Sequence, residues 1–186
     1  GAAVSVNISG GTIKGKVAKE IDSERTGEEV LSITGGTFSE DPSAYVAQDY
    51  KAVKNADNTF TVGVKTEPDK NDVASAGGRY FRTLASAVEA AQSGDTIQLL
   101  QDTTLTEIVT IPASAEITLD LNGKVLTLDA SGTRLIRNEG NLTIDGNNGK
   151  ISGINSGAYG LIDNYGSLVA NQVTFEDAGS GDGCLL

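Results

Sequence analysis

Six acids and three bases in the C-terminal half could do acid–base chemistry: Asp120, Asp129, Asp145, Asp163, Glu176 and Asp177, with Arg134, Arg137 and Lys150. Glycoside hydrolysis, for example, needs two carboxylates facing each other across the bond to be cut. Acids on stacked parallel strands lie about 4.8 Å apart, so a working cluster should recur at one-turn offsets. Two offsets of 26 residues qualify: Asp145 with Asn171, and Arg137 with Asp163. The first contains a single acid, and the second reads as an ion pair between neighbouring strands. No catalytic residue is assigned, and the chain is read as noncatalytic.

Other chemistry is thinner still. The sequence has no histidine, which removes Ser-His-Asp and Cys-His nucleophile arrangements and every His-dependent zinc site. The single cysteine, Cys184, has no imidazole base and no disulfide partner. Asp145-Gly-Asn-Asn-Gly149 and Asp177-Ala-Gly-Ser-Gly-Asp182 carry oxygen donors, yet neither matches an EF-hand loop. Both are expected to be polar turns. Gly10-Gly11 and Gly35-Gly36 lack the lysine and long helix of a phosphate-binding loop, so turn geometry explains them. No cofactor or metal is expected.

Composition narrows the partners. The formal net charge is −11 and the scattered Lys14, Lys16 and Lys19 form no basic stripe, so nucleic acid is not an expected partner. No run reaches the roughly 20 apolar residues of a membrane-spanning helix. The chain begins at Gly1 with no Met, as expected of a piece trimmed from a longer precursor.

The elements that would position these groups show themselves as repeats. Ile8-Ser-Gly-Gly-Thr-Ile13 returns 25 residues later as Ile33-Thr-Gly-Gly-Thr-Phe38. Leu135-Ile-Arg-Asn-Glu-Gly-Asn-Leu142 returns 26 residues later as Leu161-Ile-Asp-Asn-Tyr-Gly-Ser-Leu168. That period suits three short strands and their turns. Each such unit buries its inner face only by stacking on the next. Asn138 and Asn164, one period apart, are expected to form an amide ladder along the stack. Ten short strands are expected between Thr96 and Phe175.

One segment has helical spacing instead. Phe81, Leu84, Ala85, Val88 and Ala91 share a face, with Arg82 or Thr83 at the start and Gly94 at the C-terminal end. This amphipathic helix is expected to cap the open end of the stack. Earlier, Asp41-Pro42 predicts a short helical turn, and Tyr50–Val53 with Thr59–Val62 predicts a hairpin. Residues 64–78 read as a linker. It separates residues 1–63, the end of one solenoid unit, from residues 79–186, the capping helix and opening coils of another.

Two stretches resemble known modules. Residues 33–46, with Tyr50-Lys-Ala-Val53 and Asn55-Ala-Asp-Asn-Thr-Phe-Thr-Val62, resemble a module that closes β-helix units in large repetitive surface proteins of Gram-positive bacteria. Tyr80 to Gly123, including Ile117-Thr-Leu-Asp-Leu-Asn-Gly123, is similar to the opening of a pectate-lyase-like right-handed parallel β-helix. The resemblance implies an all-β fold, a secreted or cell-surface location, and an adhesin-like role. A polysaccharide or a host surface protein would be the partner, and Tyr159 and Tyr165 would stack on sugar rings. A ligand-free stalk is the alternative, and a lyase or hydrolase fragment the third. The apolar end at Gly183-Cys-Leu-Leu186 suggests that the last coil is covered by N-terminal strands, of this chain or, by end-to-end self-association, of a neighbour.

Overall fold

The structure is a computed structural model that describes residues 4–18, 29–105, 107–130, 136–155 and 162–177. The chain divides into two compact units, Gly1–Thr66 and Glu67–Leu186.

Unit 1 is built on two stacked strands, β1 (Val4–Ile13) and β2 (Glu29–Phe38). They pair in parallel at the repeat offset, Ile8 on Ile33 and Ile13 on Phe38. A 3₁₀ turn over Ser43–Tyr45 follows, opened by Asp41, whose Oδ1 accepts from the backbone N–H of Ser43 at 2.9 Å. Next come β3 (Tyr50–Lys54) and β4 (Phe60–Val64), an antiparallel hairpin turned at Asn58, whose φ is +64°. β4 also pairs antiparallel with β2, giving the sheet order β1-β2-β4-β3. Ile33, Phe38 and Val62 form the buried centre.

Unit 2 begins inside the stretch expected to be linker. β5 (Ala74–Ala76) and β6 (Arg79–Phe81) form a hairpin around Gly77-Gly78, both at positive φ. Ala74 and Ala76 are buried. Such small side chains give little apolar signal, so the alternation passes unnoticed in the sequence. Helix α1 (Leu84–Ala90) follows, and Thr83 Oγ1 caps it by accepting from the N–H of Ser86. Leu84, Ala87 and Val88 face inward. Two sequence expectations need correcting here. Phe81 belongs to β6, and the helix closes at Ala91. Gly94 lies beyond it in the turn before the next strand, at φ +94°, donating to the carbonyl of Glu116.

Then the solenoid winds. Its first coil is β7 (Thr96–Leu99), β8 (Thr103–Leu105) and β9 (Val109–Ile111). The second is β10 (Glu116–Asp120), β11 (Val125–Ala130) and β12 (Ile136–Asn138). The third is β13 (Asn141–Asp145), β14 (Lys150–Asn155) and β15 (Ile162–Asn164). The fourth holds β16 (Ser167–Asn171) and β17 (Thr174–Asp177). Equivalent strands stack in parallel into three sheets, β7-β10-β13-β16, β8-β11-β14-β17 and β9-β12-β15. β8 was not foreseen, because Leu105 is its single apolar residue.

Strand alternation makes the core. In β10 and β13 the second and fourth residues are buried, so Ile117 and Leu119 stack on Leu142 and Ile144. β5 pairs antiparallel with β7 and extends that sheet, while α1 packs against β5, β6 and β9. With the two rungs of unit 1, the chain carries about six turns of parallel β-solenoid with a period of about 25 residues.

Candidate functional site

The outward positions of β12 and β15 hold two charged residues, Arg137 and Asp163, in register with each other. Arg137 sits in register with Thr110 on one side and Asp163 on the other. Its guanidinium pairs with Glu139 at 2.8 Å, two residues on along the same chain. The same guanidinium lies over the ring of Tyr165, 5.2 Å from its centroid. Tyr165 is 62% exposed.

The polar core beneath holds this corner in place. Asn138 is fully buried, and its Nδ2 donates to Asn164 Oδ1 at 2.6 Å and to the Ser167 carbonyl at 2.8 Å. Asn138 Oδ1 accepts from the Gly140 N–H, and the Tyr165 N–H donates to the Asn138 carbonyl at 2.8 Å. The amide ladder read from the repeat is therefore present. It fixes the turn on which Tyr165 stands.

Beside it, a groove of about 370 Å³ runs between α1 and the β9 turn. Ala85 and Glu89 form one wall; Ile108, Thr110 and Pro112 form the other, and Glu139 stands on the rim. Ile108 is 54% exposed. Glu139 therefore joins groove to corner: an open aromatic ring, a guanidinium, a carboxylate and a shallow apolar trough. Such a set can stack on a sugar ring and bond its hydroxyls. The interior itself offers less, since the void under α1, lined by Leu84 and Val88, measures about 10 Å³. That is near the lower limit for one water.

Elsewhere the acids have structural work. Asp120 Oδ2 accepts from Gln98 Nε2 at 2.9 Å, while its Oδ1 accepts from the Asn122 N–H at 2.7 Å and from Asn147 Nδ2 at 2.8 Å. Asp145 stands in register between Asp120 and Asn171, completing a polar row along the outer face. Residues 145–149 form a tight turn, with Asn147 and Asn148 at positive φ. Lys150 Nζ lies 2.5 Å from Glu176 Oε2, a rung-to-rung pair. Among the described residues no group of three or more His, Cys, Asp or Glu could hold a metal ion, and no helix is long and apolar enough to cross a membrane.

Of the two tyrosines expected to contact ligand, Tyr165 is at the corner just described. Tyr159 lies outside the described residues, as do Arg134 and Cys184. Sequence reasoning missed Glu139, Thr110 and Ile108 as wall residues. The Arg137-x-Glu139 spacing was the available signal, because alternate residues share one face of a strand.

The fold defines a class, the parallel β-solenoid with three strands per turn. Comparison with protein-family models, curated proteins and solved structures finds no match for the chain.

Proposed function

We propose that the chain is a noncatalytic module of a secreted or cell-surface, adhesin-like protein of the Gram-positive bacterial type. Its contact surface is the Tyr165–Arg137–Glu139 corner with the adjoining groove, and its ligand is a glycan. The observation that carries this reading is the Tyr165 ring, held on a turn braced by a buried asparagine yet mostly open to solvent. A ring that served only the core would be covered. The likeness to β-helix surface repeats supports the location and the adhesin-like role. The period and the parallel stacking agree with that likeness in fold.

A glycan array probed with the purified chain, with and without Ca²⁺, tests the proposal. The expected result is a chemically related set of saturable hits that does not depend on Ca²⁺. Tyr165→Ala should weaken those hits about tenfold or more, in line with loss of a stacking contact, and leave the melting temperature nearly unchanged. A folded chain that binds no glycan would support a ligand-free stalk instead. Ca²⁺-dependent release of unsaturated sugars would point to a lyase.

A further inference from the structure

The groove between α1 and the β9 turn carries charge of one sign. Among the described residues its ionisable lining is Glu89, on the exposed side of α1, and Glu139 on the rim; neither Lys nor Arg lines it. Apart from Thr110, the rest of the lining is apolar, and Ile108 and Pro112 are both exposed. At about 370 Å³ the groove falls near the lower end of the ~300–1,000 Å³ range of small-molecule sites.

The two carboxylates differ in what balances them. Glu139 has Arg137, whose Nε lies 2.8 Å from its Oε1, with both side chains partly open to water. Asp163 flanks Arg137 in the next rung, so acid outnumbers base at this corner too. Glu89 has no bonding partner among the described residues. It stands ionised beside an open apolar wall, and an incoming group would have to supply its counter-charge.

We infer that the groove takes a protonated amine carried on a sugar ring, with Glu89 as counter-ion and Glu139 as a second acceptor. The ligand is then a glycan rich in hexosamine that lacks its N-acetyl groups. This rests on the glycan reading above and specifies its chemistry. An ammonium has only donors to offer and an ionised carboxylate only acceptors, so the two match. The apolar face of the ring lies along Ile108 and Pro112, within reach of the Tyr165 corner. N-acetylation removes the charge that Glu89 would balance. A uronic acid brings a like charge against Glu89, which repels it.

Isothermal titration calorimetry with short oligosaccharides tests this. At about pH 5.5 glutamates are ionised and hexosamine amines protonated, and about 0.15 M salt screens the pull of the acidic chain as a whole. The probes are tetramers of glucosamine, of N-acetylglucosamine and of galacturonic acid, with tetralysine as the amine without a sugar. The glucosamine tetramer should bind about fivefold more tightly than its N-acetylated form, and the galacturonate tetramer should bind least. Glu89→Gln with Glu139→Gln should bring the two hexosamine tetramers to equal affinity. Glu89→Gln alone, an exposed and nearly isosteric change, should cut the preference to roughly half, and it carries the test if the double variant misfolds. Glu40→Gln removes the same charge from an exposed position in unit 1, outside the groove's lining, and should leave the preference intact.

Equal or tighter binding of the N-acetylated tetramer overturns the inference and leaves the glycan reading standing. Tetralysine bound as tightly as the glucosamine tetramer overturns it in favour of a basic peptide. If Glu40→Gln lowers the preference as much as Glu89→Gln, net charge and not the groove is responsible, and the inference falls. A blank with every tetramer also overturns it; the glycan reading falls as well only when the glycan array is blank too.

Discussion

Asn138 shows how much one side chain can hold in a solenoid. It is fully buried and makes three hydrogen bonds, to Asn164, to the Ser167 carbonyl and from the Gly140 N–H. Asn138→Ala should therefore cost about 2–4 kcal/mol in urea denaturation, because buried backbone groups lose their partners. Asn164→Ala, at an exposed position, should cost distinctly less. The 26-residue offset made the pair legible in the sequence. The bonds to Ser167 and Gly140 were not, since they depend on how the turn folds back.

Asp41 offers a test by pH. The Ser43 hydroxyl, and then the Ser43 backbone N–H, hold its carboxyl below the ordinary value of 3.8. A folded-state pKa below the unfolded one stabilises the fold above the unfolded value. That contribution is lost as pH falls through the folded value, so the window lies below about pH 4. Carbon-detected NMR titration should place the Asp41 midpoint below 3.8, and Ser43→Ala should move it back up. The group is nearly fully exposed, so its effect on stability is small.

At the scale of elements, the β1–β2 stack rests on a close backbone approach. Gly35→Ala should destabilise unit 1 by about 2 kcal/mol, because its Cβ enters the space of the Ser9 carbonyl. Gly10→Ala, whose Cβ meets nothing within 4 Å, should be near neutral, and thermal melts of the two variants would separate the cases. The repeat made β1 and β2 visible at this scale, and Tyr50–Val53 with Thr59–Val62 made the hairpin visible. Helix α1 was visible by its spacing, but its limits were not. Phe81 continues the apolar pattern while, as part of β6, it pairs through its backbone with Ala74 of β5. Periodicity reports which side chains are apolar, not which backbone bonds win. β5 and β8 escaped for lack of large apolar residues.

For the whole molecule, stability should follow rung by rung. In a solenoid each turn contacts only its neighbours, so an interior rung loses two interfaces and an end rung one. Ile144, fully buried between β10 and β16, should cost about 3–4 kcal/mol on change to Ala. Leu168→Ala, half-buried in the last described rung, should cost clearly less. Equal costs in denaturant titrations would argue against nearest-neighbour stacking.

The sequence by itself determined the rung: its period of about 25, its inward Val, Ile and Leu positions, its asparagine ladder and its turns. These follow from local rules, because strand alternation and left-handed turn residues act within a few positions of one another. Tertiary structure decided what the rungs bring together. Winding places Glu139 beside a groove walled by α1 and the β9 turn, and sets Arg137 over the Tyr165 ring. Those contacts join residues separated by a full turn or more, and no short window of sequence contains both partners.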